Sequence, residues 1–91
     1  MKSIEFVRDH KAAISDVLAQ FHVRNLRYVP EATEPVDVVL LVQPDRGVSY
    51  FDLFKLELAL EAELRAKVAV LTEGGLEGTD RNRILGMAEK V

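Results

Sequence analysis

The chain has no cysteine, only two histidines, no concentrated basic cluster and no apolar run near the length that crosses a bilayer. Each absence removes a class of function. Without cysteine there is no disulfide framework, no thiolate nucleophile and no cysteine zinc site, so a reducing cytoplasm is the simplest expected home. Two isolated histidines leave metal chemistry to carboxylates. A membrane span needs roughly 18 to 20 consecutive apolar residues. Met1-Lys2-Ser3 instead leads into an amphipathic pattern, so neither membrane insertion nor secretion is expected. Arginines come close together only at Arg24/Arg27 and Arg81/Arg83. Phosphate-backbone binding needs denser positive charge, so nucleic acid is not an expected partner.

What the chain does have is core-forming material. Of its 91 residues 48% are hydrophobic and 30% charged, with a net charge of -3. That balance excludes disorder and fibrous structure and fits one domain over residues 1–91, which buries roughly 60 to 65% of its unfolded surface.

Hydrophobic spacing gives the elements. Residues 4–21 carry Phe6, Val7, His10, Ala13, Ile14, Val17, Leu18 and Phe21 at helical intervals behind Ser3, a suitable N-cap. Val23 to Val29 reads as a short strand with one half-wet face, ended by Pro30. Residues 30–35 are a proline-bounded loop. Val36 to Val42 is a nearly continuous β-branched run, the pattern of a central strand covered on both faces. Pro44-Asp45-Arg46-Gly47 makes a turn, and Ser49 with Asp52 forms a capping box for a helix reaching about Ala66. Lys67 to Thr72 is a third strand, and Gly74, Gly75 and Gly78 turn the chain into a last helix from about Asp80 to Val91. The order α-β-β-α-β-α predicts an α/β (α+β) domain: a three-stranded mixed sheet with helices packed on it. Strands one and two are expected to be antiparallel, and the strand-helix-strand segment 36–72 to join parallel strands.

The long helix has two apolar bands. Phe51, Phe54, Leu58 and Ala62 form one; Leu53, Leu56, Leu60 and Leu64 form the other, roughly opposite. One sheet covers only one band. The second requires a neighbouring helix, a second subunit or a partner, and the leucine band 53, 56, 60 and 64 is the candidate partner surface.

Chemistry-bearing residues are few. Asp37 begins the most buried strand, where a carboxylate needs a ligand, a pair or a wet strand end. His10 lies within an apolar stripe, as a core histidine does, and His22 lies near a helix C-terminus, where capping suffices. Gly74-Gly75 lacks the spacing of a phosphate-cradling loop. Ser3, Ser15 and Ser49 have no evident base.

Two strings in order, Val48-Ser49-Tyr50-Phe51-Asp52-Leu53-Phe54-Lys55-Leu56-Glu57-Leu58 and Lys67-Val68-Ala69-Val70-Leu71-Thr72-Glu73-Gly74-Gly75-Leu76, resemble the minimal nucleotidyltransferases of the DNA polymerase beta superfamily. His10-Lys11-Ala12-Ala13-Ile14 and Val23-Arg24-Asn25-Leu26-Arg27 extend the resemblance to almost the whole chain. In that family a Gly-Ser turn after the first strand packs against a triphosphate. An Asp-x-Asp pair on the second strand and a third Asp on the last strand hold Mg²⁺. Residues i and i+2 of a strand share a face, so such a pair can hold the ions that neutralise phosphate charge.

This sequence departs from the pattern. Asp37 occupies the first Asp position, Val39 the second and Ala69 the third; Val29 runs directly into Pro30-Glu31-Ala32 where the Gly-Ser turn would be. The resemblance therefore implies a degenerate member with no catalytic residues, a vestigial metal position at Asp37, and no expected cofactor. Such a protein acts as a binding module, an antitoxin-type partner of a small helical HEPN-domain protein. The alternatives are an active enzyme that uses Mg²⁺ and ATP to modify a hydroxyl, and a structural homodimer.

Overall fold

The computed structural model describes residues 1–91. Helices α1 (Ile4–Asp9) and α2 (Lys11–Gln20) replace the single helix expected over 4–21. The break falls at His10, which closes α1 and opens α2; its Nδ1 donates to the Phe6 carbonyl at 2.8 Å and its ring tilts against Phe6. Ser3 caps α1 by accepting the Phe6 amide. Strand β1 spans Val23–Val29, β2 Val38–Pro44, α3 Tyr50–Leu64 and β3 Val68–Thr72. A 3₁₀ turn (Glu73–Gly75) then leads into α4 (Gly78–Met87) and a two-residue strand β4 (Glu89–Lys90).

The sheet is mixed, in the order β3-β2-β1-β4. β2 is central, antiparallel to β1 and parallel to β3, as its β-branched run implies. The sheet has four strands rather than three. The last helix stops at Met87, and the chain returns as β4 with Arg27↔Lys90 and Tyr28↔Glu89 opposite each other. Two charged residues carry no period-2 signal, so only the long-range pairing creates this strand.

Strand β1 does not keep the simple alternation read from its sequence. Asn25 adopts φ 61° and the register slips between Arg24 and Arg27, a β-bulge. The inserted residue flips the following parity. Val23 and Tyr28 consequently join one core, while Val29 joins the other.

Two cores flank the sheet. The larger lies under α1, α2 and α3 and contains Val7, Ile14, Leu18, Val38, Leu40, Val42, Leu56 and Leu60, among others. The smaller lies under α4 and consists of Val29, Val39, Leu41 and Ile84, with Ala69 and Leu71 packed against it. Residues 38–42 are all buried, because each face of β2 meets a helix layer.

Helix α3 starts from the expected capping box: Ser49 Oγ accepts the Asp52 amide at 3.2 Å and Asp52 Oδ2 accepts the Ser49 amide at 2.9 Å. It ends at Arg65, in the left-handed region at φ 52°. Which band packs inward is the reverse of the candidate partner surface. Leu56 and Leu60 are fully buried, Leu64 is 6% exposed and Leu53 packs at the margin of the same core. Each leucine buried there stabilises the fold by about 1.5 to 3 kcal/mol. The other band faces outward.

Candidate functional site

The resemblance read in the sequence places the family's metal carboxylates at three positions: 37, 39 and 69. Val39 and Ala69 face each other as register partners across the parallel β2–β3 pair. Both belong to the smaller core, where Val39 touches the cluster of Val29, Leu41 and Ile84. Two carboxylates here would be adjacent and would point at α4. Two aliphatic side chains are adjacent instead, and they pack.

Asp37 stands apart from that pair. It precedes β2, and its carboxylate Oδ2 accepts the Lys67 amide at 3.0 Å while its own amide donates to the Lys67 carbonyl at 2.8 Å. Its carbonyl accepts the Lys2 amide at 2.7 Å. Asp37 thus ties the starts of β2 and β3 to the N-terminal segment. It shares a shallow, open depression with Glu61, Arg65 and Lys67, and is absent from the lining of the cleft above Val39 and Ala69.

That cleft measures about 340 Å³ and lies between the sheet, the loop 31–36 and α4. Eight of its twelve lining residues are apolar, including Val29, Ala32, Val36, Val39, Ala69 and Ile84. The loop after β1 contributes side chains to the core rather than backbone amides to a phosphate: Ala32 and Val36 pack on the smaller cluster. At the rim Arg83 pairs with Glu31 and with Asp80. The hydrogen bond that Arg83 donates to the Glu31 carboxylate is the main cause holding the guanidinium above its ordinary pKa. A cation already claimed by two carboxylates offers little to an incoming phosphate.

These residues do not fit a magnesium site. Mg²⁺ demands near-octahedral oxygen ligation, with carboxylates supplying charge. Nowhere in the fold do three or more histidine or acidic side chains converge so as to hold a metal ion.

Arg27 shares the parity of Val29, two residues further along β1, and so lies on the α4 side of the sheet. Its side chain is 17% exposed and pairs with Glu73, whose carbonyl accepts from Arg81 Nη1 at 2.6 Å. Arg27 Nε is buried without a partner. The shared parity of Arg27 and Val29 was legible in the sequence, but the pairing with Glu73, 46 residues away, was not, because it depends on where the turn after β3 comes to rest.

His22 leaves α2 in the left-handed region at φ 59°, with its amide on the Ala19 carbonyl, the role expected at a helix end. It borders a wide polar depression of about 550 Å³ with Asp45, Arg46 and Lys55. Gly75 closes the turn after β3, where an added Cβ would lie 2.9 Å from Thr72 Oγ1, the atom that accepts its own amide. No helix is long and apolar enough to cross a membrane.

No protein-family model matches the chain, and no curated protein matches it. A solved structure described as a candidate minimal nucleotidyltransferase is similar throughout, with a TM-score of 0.79 and 28% sequence identity over 99% of this chain and 97% of that one. The chain therefore has a nucleotidyltransferase-like fold, with aliphatic residues at two of the three positions where the resemblance expects metal carboxylates.

Proposed function

We propose that this chain is a catalytically silent nucleotidyltransferase-like protein that acts by binding another protein, in the manner of an antitoxin-type partner to a small helical HEPN-domain protein. The observation that carries this reading is the packed pair Val39 and Ala69, register partners at the metal positions. Phosphoryl transfer of this kind relies on metal ions to neutralise the developing charge, and one carboxylate cannot position a hydrated Mg²⁺ against a triphosphate. Asp37 is in addition engaged with the Lys67 amide. The reading therefore uses neither Mg²⁺ nor ATP.

Support for a binding role comes from the outward band of α3, where Phe51, Phe54 and Leu58 are all exposed. The partner surface moves from the leucine band, now seen to be core, to the aromatic band opposite.

Isothermal calorimetry with Mg²⁺ and ATP tests the catalytic half of the proposal; no heat of binding is expected. Micromolar binding that disappears in Asp37→Ala would establish the active transferase instead. Co-expression with a helical HEPN-type protein encoded beside the gene tests the binding half, and a stable co-purifying complex is expected. A dimer that persists on dilution and takes up no such partner would favour the structural homodimer.

A further inference from the structure

The two faces of the sheet are covered unequally. Thirteen buried residues form the core under α1, α2 and α3, but only four form the one under α4. Helix α4 contributes a single buried side chain, Ile84, whereas α3 contributes Leu56, Leu60 and Leu64 to the larger core. Local opening costs least where least apolar surface is buried, so the α4 layer is the part of the fold that opens most readily.

The path of the chain gives this layer the form of a strap. It leaves β3 at one edge of the sheet, runs through the 3₁₀ turn and α4, and returns as β4 at the opposite edge. Both ends are fastened. Thr72 Oγ1 accepts the Gly75 amide at 3.1 Å, and Arg8 and Lys11 donate to the Lys90 and Val91 carbonyls at 3.2 Å each. The first residue of α4, Gly78, has φ 59°, a backbone state that suits glycine and lets the chain pivot there.

Polar contacts hold the middle of the strap down. Arg83 reaches from α4 to Glu31 in the loop after β1, and the two side chains are 46% and 50% exposed. An ion pair this open is weak and is screened by salt. Glu73 pairs with Arg27 of β1, and its carbonyl accepts from Arg81 Nη1, a bond that couples the 3₁₀ turn to α4. Arg27 Nε, buried without a partner in this arrangement, regains water when the segment lifts. What the strap hides is apolar: Val29, Val39 and Leu41 lie under it, beside the cleft of about 340 Å³.

We propose that residues 73–88 form a strap that lifts as one unit while the rest of the fold stays intact, with the Arg83–Glu31 pair as its salt-sensitive latch and the apolar face at Val29 and Val39 as what it uncovers. The inference stands apart from the binding-protein reading. It concerns the face of the sheet opposite α3, and it gives the fold a second, gated apolar surface.

The chain has no cysteine, so one introduced thiol reads the opening directly. Val29→Cys places it under the strap and Val42→Cys in the larger core; both positions are fully buried, and the two side chains are close in size. Reaction with dithionitrobenzoate is followed at low and high salt. The Val29→Cys thiol is expected to react about a hundredfold faster than that of Val42→Cys. High salt, or Glu31→Ala in the same background, is expected to raise that ratio about threefold. Hydrogen exchange of the unsubstituted chain gives a second reading: the α4 amides share one level of protection, lower than that of β2 by about a hundredfold.

Equal rates for the two thiols, or α4 amides protected as well as those of β2, mean that this layer opens only when the whole chain unfolds, and either overturns the proposal. A Val29→Cys thiol that reacts as fast as one at the exposed position of Ala62 shows that the strap covers nothing, and overturns it as well. Protection that declines steadily from Ile84 toward the ends of α4 marks fraying rather than a unit and has the same consequence. A ratio of rates that neither salt nor Glu31→Ala moves overturns the latch.

Discussion

Glu57 Oε2 accepts the Val70 amide at 2.7 Å, and one helical turn later Glu61 does the same for Val68 at 3.1 Å. The match is geometric: four residues along a helix rise about 6 Å, close to the 6.6 Å or so between alternate residues of a strand running the other way. The pair occupies two outward amides of β3, an edge strand whose free backbone groups would otherwise template association. Glu57→Ala/Glu61→Ala is expected to cost about 1 to 3 kcal/mol for each amide left in a partly buried position without an acceptor. Hydrogen exchange checks it: the Val68 and Val70 amides lose protection in the alanine variant and keep it in Glu57→Gln/Glu61→Gln, which retains an acceptor oxygen for each.

Which band of α3 faces the sheet makes a second, sharper prediction. Leu60→Ala is expected to destabilise by about 2 to 5 kcal/mol, the range for emptying a packed core site. Leu58→Ala, at a position 50% exposed, is expected to stay within about 0.5 kcal/mol of the parent. Urea denaturation of the two variants compares them directly, and equal costs would contradict the orientation described.

That orientation shows what the sequence could and could not carry. The capping box at Ser49 and Asp52, the central position of β2 and the parallel β2–β3 pair were legible because each rests on a local pattern. The choice between the two bands of α3 was not, since both are apolar at helical spacing and only the position of the sheet separates them. The bulge at Asn25 and the strand at Glu89–Lys90 were hidden for the same reason: neither residue type forces the conformation, and long-range pairing selects it. At the candidate site, the missing carboxylates at 39 and 69 could be read residue by residue. The filling of the cleft by Ala32, Val36 and Ile84 could not, because it depends on where the loop and α4 come to rest.

The capping box also sets a pH dependence. Hydrogen bonds from the Ser49 amide and then the Ser49 hydroxyl hold the Asp52 carboxyl below its ordinary value of 3.8. A carboxyl depressed in the fold binds its proton more readily in the unfolded chain. Its contribution is therefore present above the unfolded pKa and is lost as pH falls through the folded one. Asp52→Asn, which can still accept the Ser49 amide but does not titrate, is expected to flatten the loss of stability below about pH 4. Thermal melts of parent and variant across pH 2.5 to 5, roughly the titration range of a carboxylate, read the difference; identical acid limbs would exclude this role.

The last expectation concerns how far the site has moved from metal chemistry. If Val39 merely replaced a ligand in an intact site, Val39→Asp would restore a carboxylate beside Asp37 at little structural cost, and Mg²⁺ would stabilise the variant. The structure argues otherwise. Val39 is 7% exposed among Val29, Leu41 and Ile84, and Ala69 opposite it brings no oxygen. Asp37 cannot serve as its partner without giving up the Lys67 amide. Val39→Asp is therefore expected to lose about 3 to 5 kcal/mol, as an uncompensated charge buried in a core does. Millimolar Mg²⁺ should recover none of it. Differential scanning calorimetry with and without the metal decides the matter: a rise in Tm specific to the variant plus Mg²⁺ would mean that a ligand cage survives around position 39.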